Sequence, residues 1–409
     1  MKKERRAPDT TPSRWSPAFA SAGLAVVAYG VLWWGTGGLS QPEYQDEIHY
    51  WEAAEFFRSR LPPTLTDLRS YSEQSAPLAF ILWGVIERLT EGGVRMGRLF
   101  VVCCSVGIFA ALTLRRERDD WAGFAAALGL LCCPYFLSLS SYLYTDVVAF
   151  FFVVLGLAGW AHGRASWAVL AFTLAIATRQ YTVFIPATLA GLECWGWLAR
   201  GERSLGRGVA AGGAAATLLI WFAIWGGMTP PGYSGRWPVP ALLTDPVSRD
   251  GSALYSLACI GLYFVIPETL LFRRWETFEA LKSRRSLFIA LALLLVLLSS
   301  FPVFPADKVG VFNRGLHFLF PPALHPPIFY GLAWIACVRF ARLDMAFWII
   351  LASTVLATRT WTWEKYYLQP LVVLWYLRAV GAMDGVPLWR ARATHGEVTN
   401  DGASEKRHA

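Results

Sequence analysis

APLAFILWGVIERL, residues 76–89, is apolar enough to enter a membrane and too short to cross one. As an α-helix it would reach about 21 Å, against a hydrocarbon core of ~30 Å that takes about 20 residues to span. Pro77 leads the segment, at a place where a helix tolerates proline. It therefore reads as an interfacial or re-entrant helix. That reading decides the fold, because a full crossing here would reverse the side on which every later loop emerges.

Outward from this segment the chain is a series of apolar runs. One precedes it at 16–35, and others follow at about 94–114, 121–140, 145–162, 166–178, 180–199, 208–228, 252–271, 286–302, 316–338, 344–357 and 366–380. The fold expected is all-α, a polytopic transmembrane helical bundle of about twelve spans, with interfacial helices in a first external loop at 36–93. A single membrane domain at 16–380 lies between an N-terminal tail at 1–15 and a polar, disordered tail at 381–409, both cytoplasmic.

Composition agrees. Of 409 residues, 55% are apolar, 15% aromatic and 16% charged. Soluble domains draw about a quarter of their residues from the charged types, so this chain has too little polar surface to coat a soluble core. The net charge of +8 does not point to nucleic acid, because the basic residues stand in short clusters between apolar runs. Such clusters orient membrane proteins. With 76–89 outside, Arg115-Arg116, Arg200 to Arg207, Arg273-Arg274, Arg284-Arg285 and Arg339 to Arg342 all share the cytoplasmic side with the basic N-terminal tail. The first apolar run is about 20 residues long and lacks a small-residue cleavage site, so it reads as a retained span. Seven cysteines all sit in apolar runs without zinc or disulfide spacing, and read as small core residues.

The run at 166–199 would reach about 51 Å as one helix, too long for one span. It reads as two, turning at Thr178-Arg179-Gln180 with Arg179 at the outer surface. A mid-span arginine would cost about 2.5–3.5 kcal/mol on insertion scales.

This threading gathers polar residues on one face. QPEYQDEIHYWE, residues 41–52, carries the adjacent acids Asp46 and Glu47, then His49. Such a pair suits a general base with its supporting partner, or half of a metal site, and equally a solvated loop that starts a helix. On the same face fall Tyr71, Tyr144, Asp146, Arg179, Gln180, Tyr181, Asp307, Lys308, Asn313, Arg314, His317, Glu364, Lys365 and Tyr366. Carboxylates, cations and aromatics together fit an anionic, amphiphilic substrate, although Trp and Tyr also collect at membrane surfaces as an interfacial belt.

Five stretches carry a family resemblance: PEYQDEIHYWEAAEFF, LYTDVVAFFF, TRQYTVFIP, FNRGLHF and WEKYYLQPLV. They resemble the membrane glycosyltransferases of GT-C type that draw on polyprenyl-phosphate sugars. Within these, the chain is most similar to the dolichol-phosphoglucose-dependent α-1,2-glucosyltransferase family, which has Tyr-Thr-Glu where this chain has Tyr144-Thr145-Asp146. The resemblance implies a GT-C-like fold and inverting transfer from a polyprenyl-phosphate sugar donor to a lipid-linked glycan or other envelope acceptor. Asp46 would be the base, with Glu47 and Asp146 orienting it or the acceptor. Arg179, Arg314 and Lys365 would hold the donor phosphate, where charge develops as the glycosidic bond breaks. His49, Tyr144, Gln180, Asn313 and Glu364 would line the substrate. No cofactor and no metal site is predicted, although His49 and His317 beside Asp46 leave a divalent ion open. The partners are donor, acceptor and membrane lipids, with no nucleic acid. The favoured location is a bacterial plasma membrane, or the endoplasmic reticulum of a eukaryote, with the site facing outside or the lumen. A transporter or lipid flippase is the alternative, but that would place ionisable groups near the midplane with internal repeats, and no repeat is visible. A non-catalytic assembly partner is a third reading.

Overall fold

Residues 15–44, 46–114, 120–200, 205–233, 252–273, 282–300, 310–357 and 364–383 are described by the computed structural model of the chain. The expectations for most of both tails, for the basic residues at 115–116, 203, 274 and for 305–308 and 361–363 lie outside the described residues. Helix α1 covers Trp15–Gly35. The first loop then forms α2 (Asp46–Arg58), the single turn α3 (Asp67–Ser70) and α4 (Leu78–Thr90). Helix α4 is the segment at 76–89, and its 13 residues reach about 20 Å. Its buried face, Ala79, Phe80, Trp83, Gly84 and Glu87, lies on α2. Gly84 permits the contact: a Cβ there would stand 2.9 Å from both the Ala54 carbonyl oxygen and the Arg58 nitrogen.

The bundle continues as α5 (Val94–Thr113), α6 (Asp120–Leu131), α7 (Pro134–Ser141), α8 (Thr145–Ala161), α9 (Ala165–Thr178), α10 (Phe184–Arg200), α11 (Leu205–Ala216) and α12 (Leu218–Trp225). After them come α13 (Ser252–Ile260), a π-helical turn at Gly261–Val265, α14 (Ile266–Phe272), α15 (Arg284–Ser300) and α16 (Val311–Leu319). The last are α17 (His325–Arg339), α18 (Met345–Ala357) and α19 (Leu368–Ala379). Every residue of α19 is buried, which explains why its apolar residues run all round rather than along one stripe. It packs against α5, α6 and α8. Helix α1 turns Phe19, Val27, Val31 and Trp34 outward, the surface a bilayer covers.

The all-helical membrane architecture stands. Among the described residues five helical stretches are long and apolar enough to cross: 18–40, 94–113, 180–199, 205–225 and 253–272. Residues 121–140, read as one span, are two helices bent by 79° at Cys132-Cys133, where Pro134 has no N–H to continue the first. Residues 316–338 also divide. Helix α16 ends at Leu319, a 3₁₀ turn covers Pro322–Leu324, and α17 begins at His325, with Pro321, Pro322, Pro326 and Pro327 breaking continuity. Helices α8, α9 and α18 are apolar but of 17, 14 and 13 residues, below the usual crossing length. The run at 166–199 does turn at Arg179, whose backbone is extended between α9 and a 3₁₀ turn at Gln180–Val183. Nor are all the cysteines in the core. Cys104, Cys133, Cys259 and Cys337 are buried, whereas Cys103, about 100° round α5 from Cys104, and Cys132, in the bend after α6, are exposed.

Candidate active site

Asp46 opens α2 and meets a cation from the far end of the chain. Lys365 Nζ donates to Asp46 Oδ2 at 2.7 Å across 319 residues of sequence. The Asp46 side chain is 32% exposed and that of Lys365 6%, so the carboxylate stands at the rim and the ammonium beneath it. Lys365 lies on the 3₁₀ turn Glu364–Tyr367 that leads into α19, with its Nζ 5.9 Å from the centroid of the Tyr144 ring and 5.2 Å from that of Tyr366.

A second acid–cation pair adjoins the first. Asp146 is the second residue of α8, where the helix dipole favours a carboxylate, and it is fully buried. Arg179 Nη2 donates to its Oδ2 at 2.5 Å, and the Tyr181 hydroxyl donates to Oδ1. Arg179 also donates to Ser75 Oγ at 2.7 Å and to the Tyr50 hydroxyl at 3.3 Å. Arg179 was expected at the outer surface. Its side chain is instead drawn inward because Asp146 supplies the buried counter-charge that makes a desolvated guanidinium tolerable. Tyr50 and Tyr144 join the two pairs, their rings edge-on with centroids 5.8 Å apart. Burial pushes the Tyr50 phenol well up, the nearby Arg179 cation pulls it back in part, and Asp46, Asp146 and Glu73 push it up further. Burial also raises the Tyr144 phenol. Both hydroxyls therefore keep their protons at neutral pH.

Glu47 does something other than share the chemistry of Asp46. It is fully buried and bidentate with Arg98, Nε to Oε1 at 2.8 Å and Nη2 to Oε2 at 2.5 Å, and Oε1 also accepts the Leu143 N–H at 2.8 Å. Arg98 further donates to the carbonyl oxygens of Leu39, Gln41 and Pro42. The pair thus ties the α1–α2 connection and the turn before α8 to α5, and it sets where α2 begins. Gln180 also holds backbone: Oε1 accepts the Ala76 N–H at 3.1 Å and Nε2 donates to the Gln74 oxygen at 2.8 Å.

Glu364 adjoins Lys365 on the other side. Its Oε1 accepts the Phe312 N–H at 2.5 Å, and Oε2 lies over Gly310, where any Cβ would collide with it. Gly310 has φ +95°, a region that glycine enters without strain. Burial raises the Glu364 carboxyl above the usual range, against the lowering effects of the Phe312 N–H and the Arg314 charge. Asn313 is buried beside it on α16, whereas Arg314 is exposed and donates from Nε to the Gly310 oxygen at 3.0 Å. His49 lies 3.8 Å from Glu52 on the outer side of α2, and His317 stacks edge-on against His325. Among the described residues no group of three or more His, Cys, Asp or Glu side chains could hold a metal ion.

The structure therefore joins Asp46, Lys365, Tyr144, Asp146 and Arg179 in one cluster, with Glu364 and Asn313 at its edge. Arg98, Ser75 and Tyr50 were not singled out from sequence. Arg98 had a signal: an arginine five residues into an apolar 20-residue helix must find a carboxylate. Ser75 had none. At the far end of α19 stands a third cluster. Arg339 is bidentate on the fully buried Glu268 at 2.7 Å through both Nε and Nη2, and Arg378 Nε lies 3.4 Å from Glu268. Arg339 was expected in the basic cytoplasmic cluster that runs to Arg342. In the structure its side chain is buried, held by an acid within an apolar helix.

No family model and no curated protein matches the chain. Two solved structures are similar to it. One is ArnT from Cupriavidus metallidurans bound to undecaprenyl phosphate, at 16% identity and a TM-score of 0.43, covering 88% of this chain and 77% of that one. The other is the same protein in the apo state, at 16% identity and a TM-score of 0.45, covering 89% and 78%.

Proposed function

We propose that this chain is a membrane glycosyltransferase that moves a hexose from a polyprenyl-phosphate donor to a lipid-linked glycan or other envelope acceptor, with inversion. The observation that carries the reading is the contact between Asp46 and Lys365, a rim-exposed carboxylate on a buried cation, linked through Tyr144 and Tyr50 to the Asp146–Arg179 pair. A transfer of this kind needs those two charges at one place. The acceptor hydroxyl passes its proton to Asp46 as its oxygen bonds to the anomeric carbon. The bond from that carbon to the phosphate oxygen breaks, and its electron pair leaves with the phosphate. A positioned general base contributes about 10²–10⁴-fold, and a preorganised cation stabilises the charge that develops on the leaving group.

Lys365 is the cation nearest this chemistry, with Arg314 exposed alongside to meet the phosphate at the rim. Arg179 and Asp146 support the site electrostatically, and Glu47, Arg98 and Gln180 position the loop that presents Asp46. The site faces the outside of a bacterial plasma membrane. The test is incubation of the purified protein with a panel of polyprenyl-phosphate sugars, scored for donor consumption. Consumption of one donor supports the reading. Consumption of none, with lipid or solute moved across proteoliposomes, replaces it with the transporter reading, for which the 79° break between α6 and α7 is the structural motive.

A further inference from the structure

We propose, on the glycosyltransferase reading above, that Asp46 and the donor phosphate compete for Lys365, so that the empty site masks its own base and donor binding unmasks it. Asp46 Oδ2 accepts from Lys365 Nζ at 2.7 Å, which occupies a lone pair on the carboxylate that has to receive the acceptor's proton. The geometry makes this pair the one that opens. The Asp46 side chain is 32% exposed and can swing outward from a cation that cannot follow it, since the Lys365 side chain is 6% exposed and framed by Tyr144 and Tyr366. The neighbouring pair is closed by contrast. Asp146 is 1% exposed and both its oxygens are taken, by Arg179 and by Tyr181.

A polyprenyl-phosphate sugar is a phosphodiester with one negative charge, so it can replace Asp46 on Lys365 charge for charge. Breaking the glycosidic bond leaves a phosphate monoester, which carries about −1.5 to −2 at neutral pH. The product phosphate holds Lys365 more strongly than the donor did, keeping Asp46 free while it takes the proton. Release of the product lipid returns Lys365 to Asp46. A ligand shifts such an equilibrium only through its different affinities for the two states, so the competition must be visible in binding alone.

The test measures binding of a long-chain polyprenyl phosphate to the purified full-length protein in nanodiscs, with polyprenol and inorganic phosphate as control probes and thermal stability recorded for each variant. Removing the competitor should tighten binding: Asp46→Asn lowers the dissociation constant roughly fivefold, the worth of a partly exposed ion pair. Lys365→Gln weakens binding, and the double variant matches Lys365→Gln alone, because without the cation there is nothing to compete for. Lys365→Arg keeps the charge and keeps the effect of Asp46→Asn, which preserves the test if Lys365→Gln fails to fold. Polyprenol binding is the same in all variants, and inorganic phosphate follows the order of the lipid phosphate. A stable Asp46→Asn protein that binds polyprenyl phosphate no more tightly than wild type overturns the competition. Failure of the wild-type protein to bind polyprenyl phosphate at all overturns the glycosyltransferase reading instead.

Discussion

The two ends of α19 carry the same chemistry in opposite states. At its start, Lys365 and Arg179 meet Asp46 and Asp146 among hydroxyls, and one carboxylate stands partly exposed. At its last turn, Arg339 and Arg378 close on Glu268, with the Arg378 guanidinium 4.3 Å over Phe272 and the Arg339 guanidinium 5.3 Å over Phe340. Desolvating two ions costs several kcal/mol each, and only good geometry recovers it. The closed cluster recovers it through the bidentate Arg339–Glu268 pair, and each of its three side chains is at most 7% exposed. The open one keeps a carboxylate at the rim, where a substrate can reach it. An Arg–acid cluster is therefore a poor marker of function until the exposure of its members is known.

The largest expected effect separates the two ends directly. Asp46→Asn should lower sugar transfer by about 10²–10⁴-fold, because Asn keeps the size of Asp but cannot take the acceptor's proton. Thermal stability measured on the same preparation should change little, by about 1 kcal/mol if Asp46 also caps α2. Near-normal turnover would remove Asp46 from the mechanism and pass the question to Asp146. At the other end the expectation reverses. Glu268→Gln should destabilise by about 3–5 kcal/mol, since it leaves Arg339 and Arg378 buried without their carboxylate, while the fraction that stays folded should still turn over. A Glu268→Gln protein as stable as wild type would show that the closed cluster holds nothing together.

The smallest effect tests Glu364, which is buried like Glu268 yet adjoins the open end. Its carboxyl is raised in the folded protein, so between the ordinary carboxylate range and that raised value the folded state binds more protons than the unfolded one. Stability must then fall as pH rises through this window, the reverse of the usual carboxylate. Glu364→Gln removes the dependence. Its melting temperature relative to wild type should be unchanged or lower at pH 4 and higher at pH 7. A difference that does not vary with pH would mean that the carboxyl is not raised.

Much of the candidate site could be read from the chain. Lys365, Tyr144, Asp146 and Arg179 stand at ends of apolar runs and Asp46 in the loop after the first, and a bilayer leaves such residues few places to go except one of two faces. The sequence could not show that Glu47 is committed to Arg98. Neighbouring acids look alike in one dimension, and only the helical rotation of about 100° between them sends one to the rim and the other to α5. The opposite cluster was missed because Glu268, Arg339 and Arg378 each lie near the end of a different helix, where a charged residue reads as an exposed cap.

By itself the sequence determined the helical membrane class, the helix at residues 76–89 as too short to cross, and the turn at Arg179. These follow from apolar length and from the cost of a bare charge or an unpaired backbone group in hydrocarbon, which act on each segment locally. Tertiary structure decided the rest. It bent residues 121–140 by 79°, divided 316–338 at its prolines, paired Arg179 with Asp146, buried Arg339, and set Lys365 on Asp46 across 319 residues. The physical reason is that a charge can be buried only where packing brings a counter-charge to it. That pairing is a property of packed helices and is not written in any one of them.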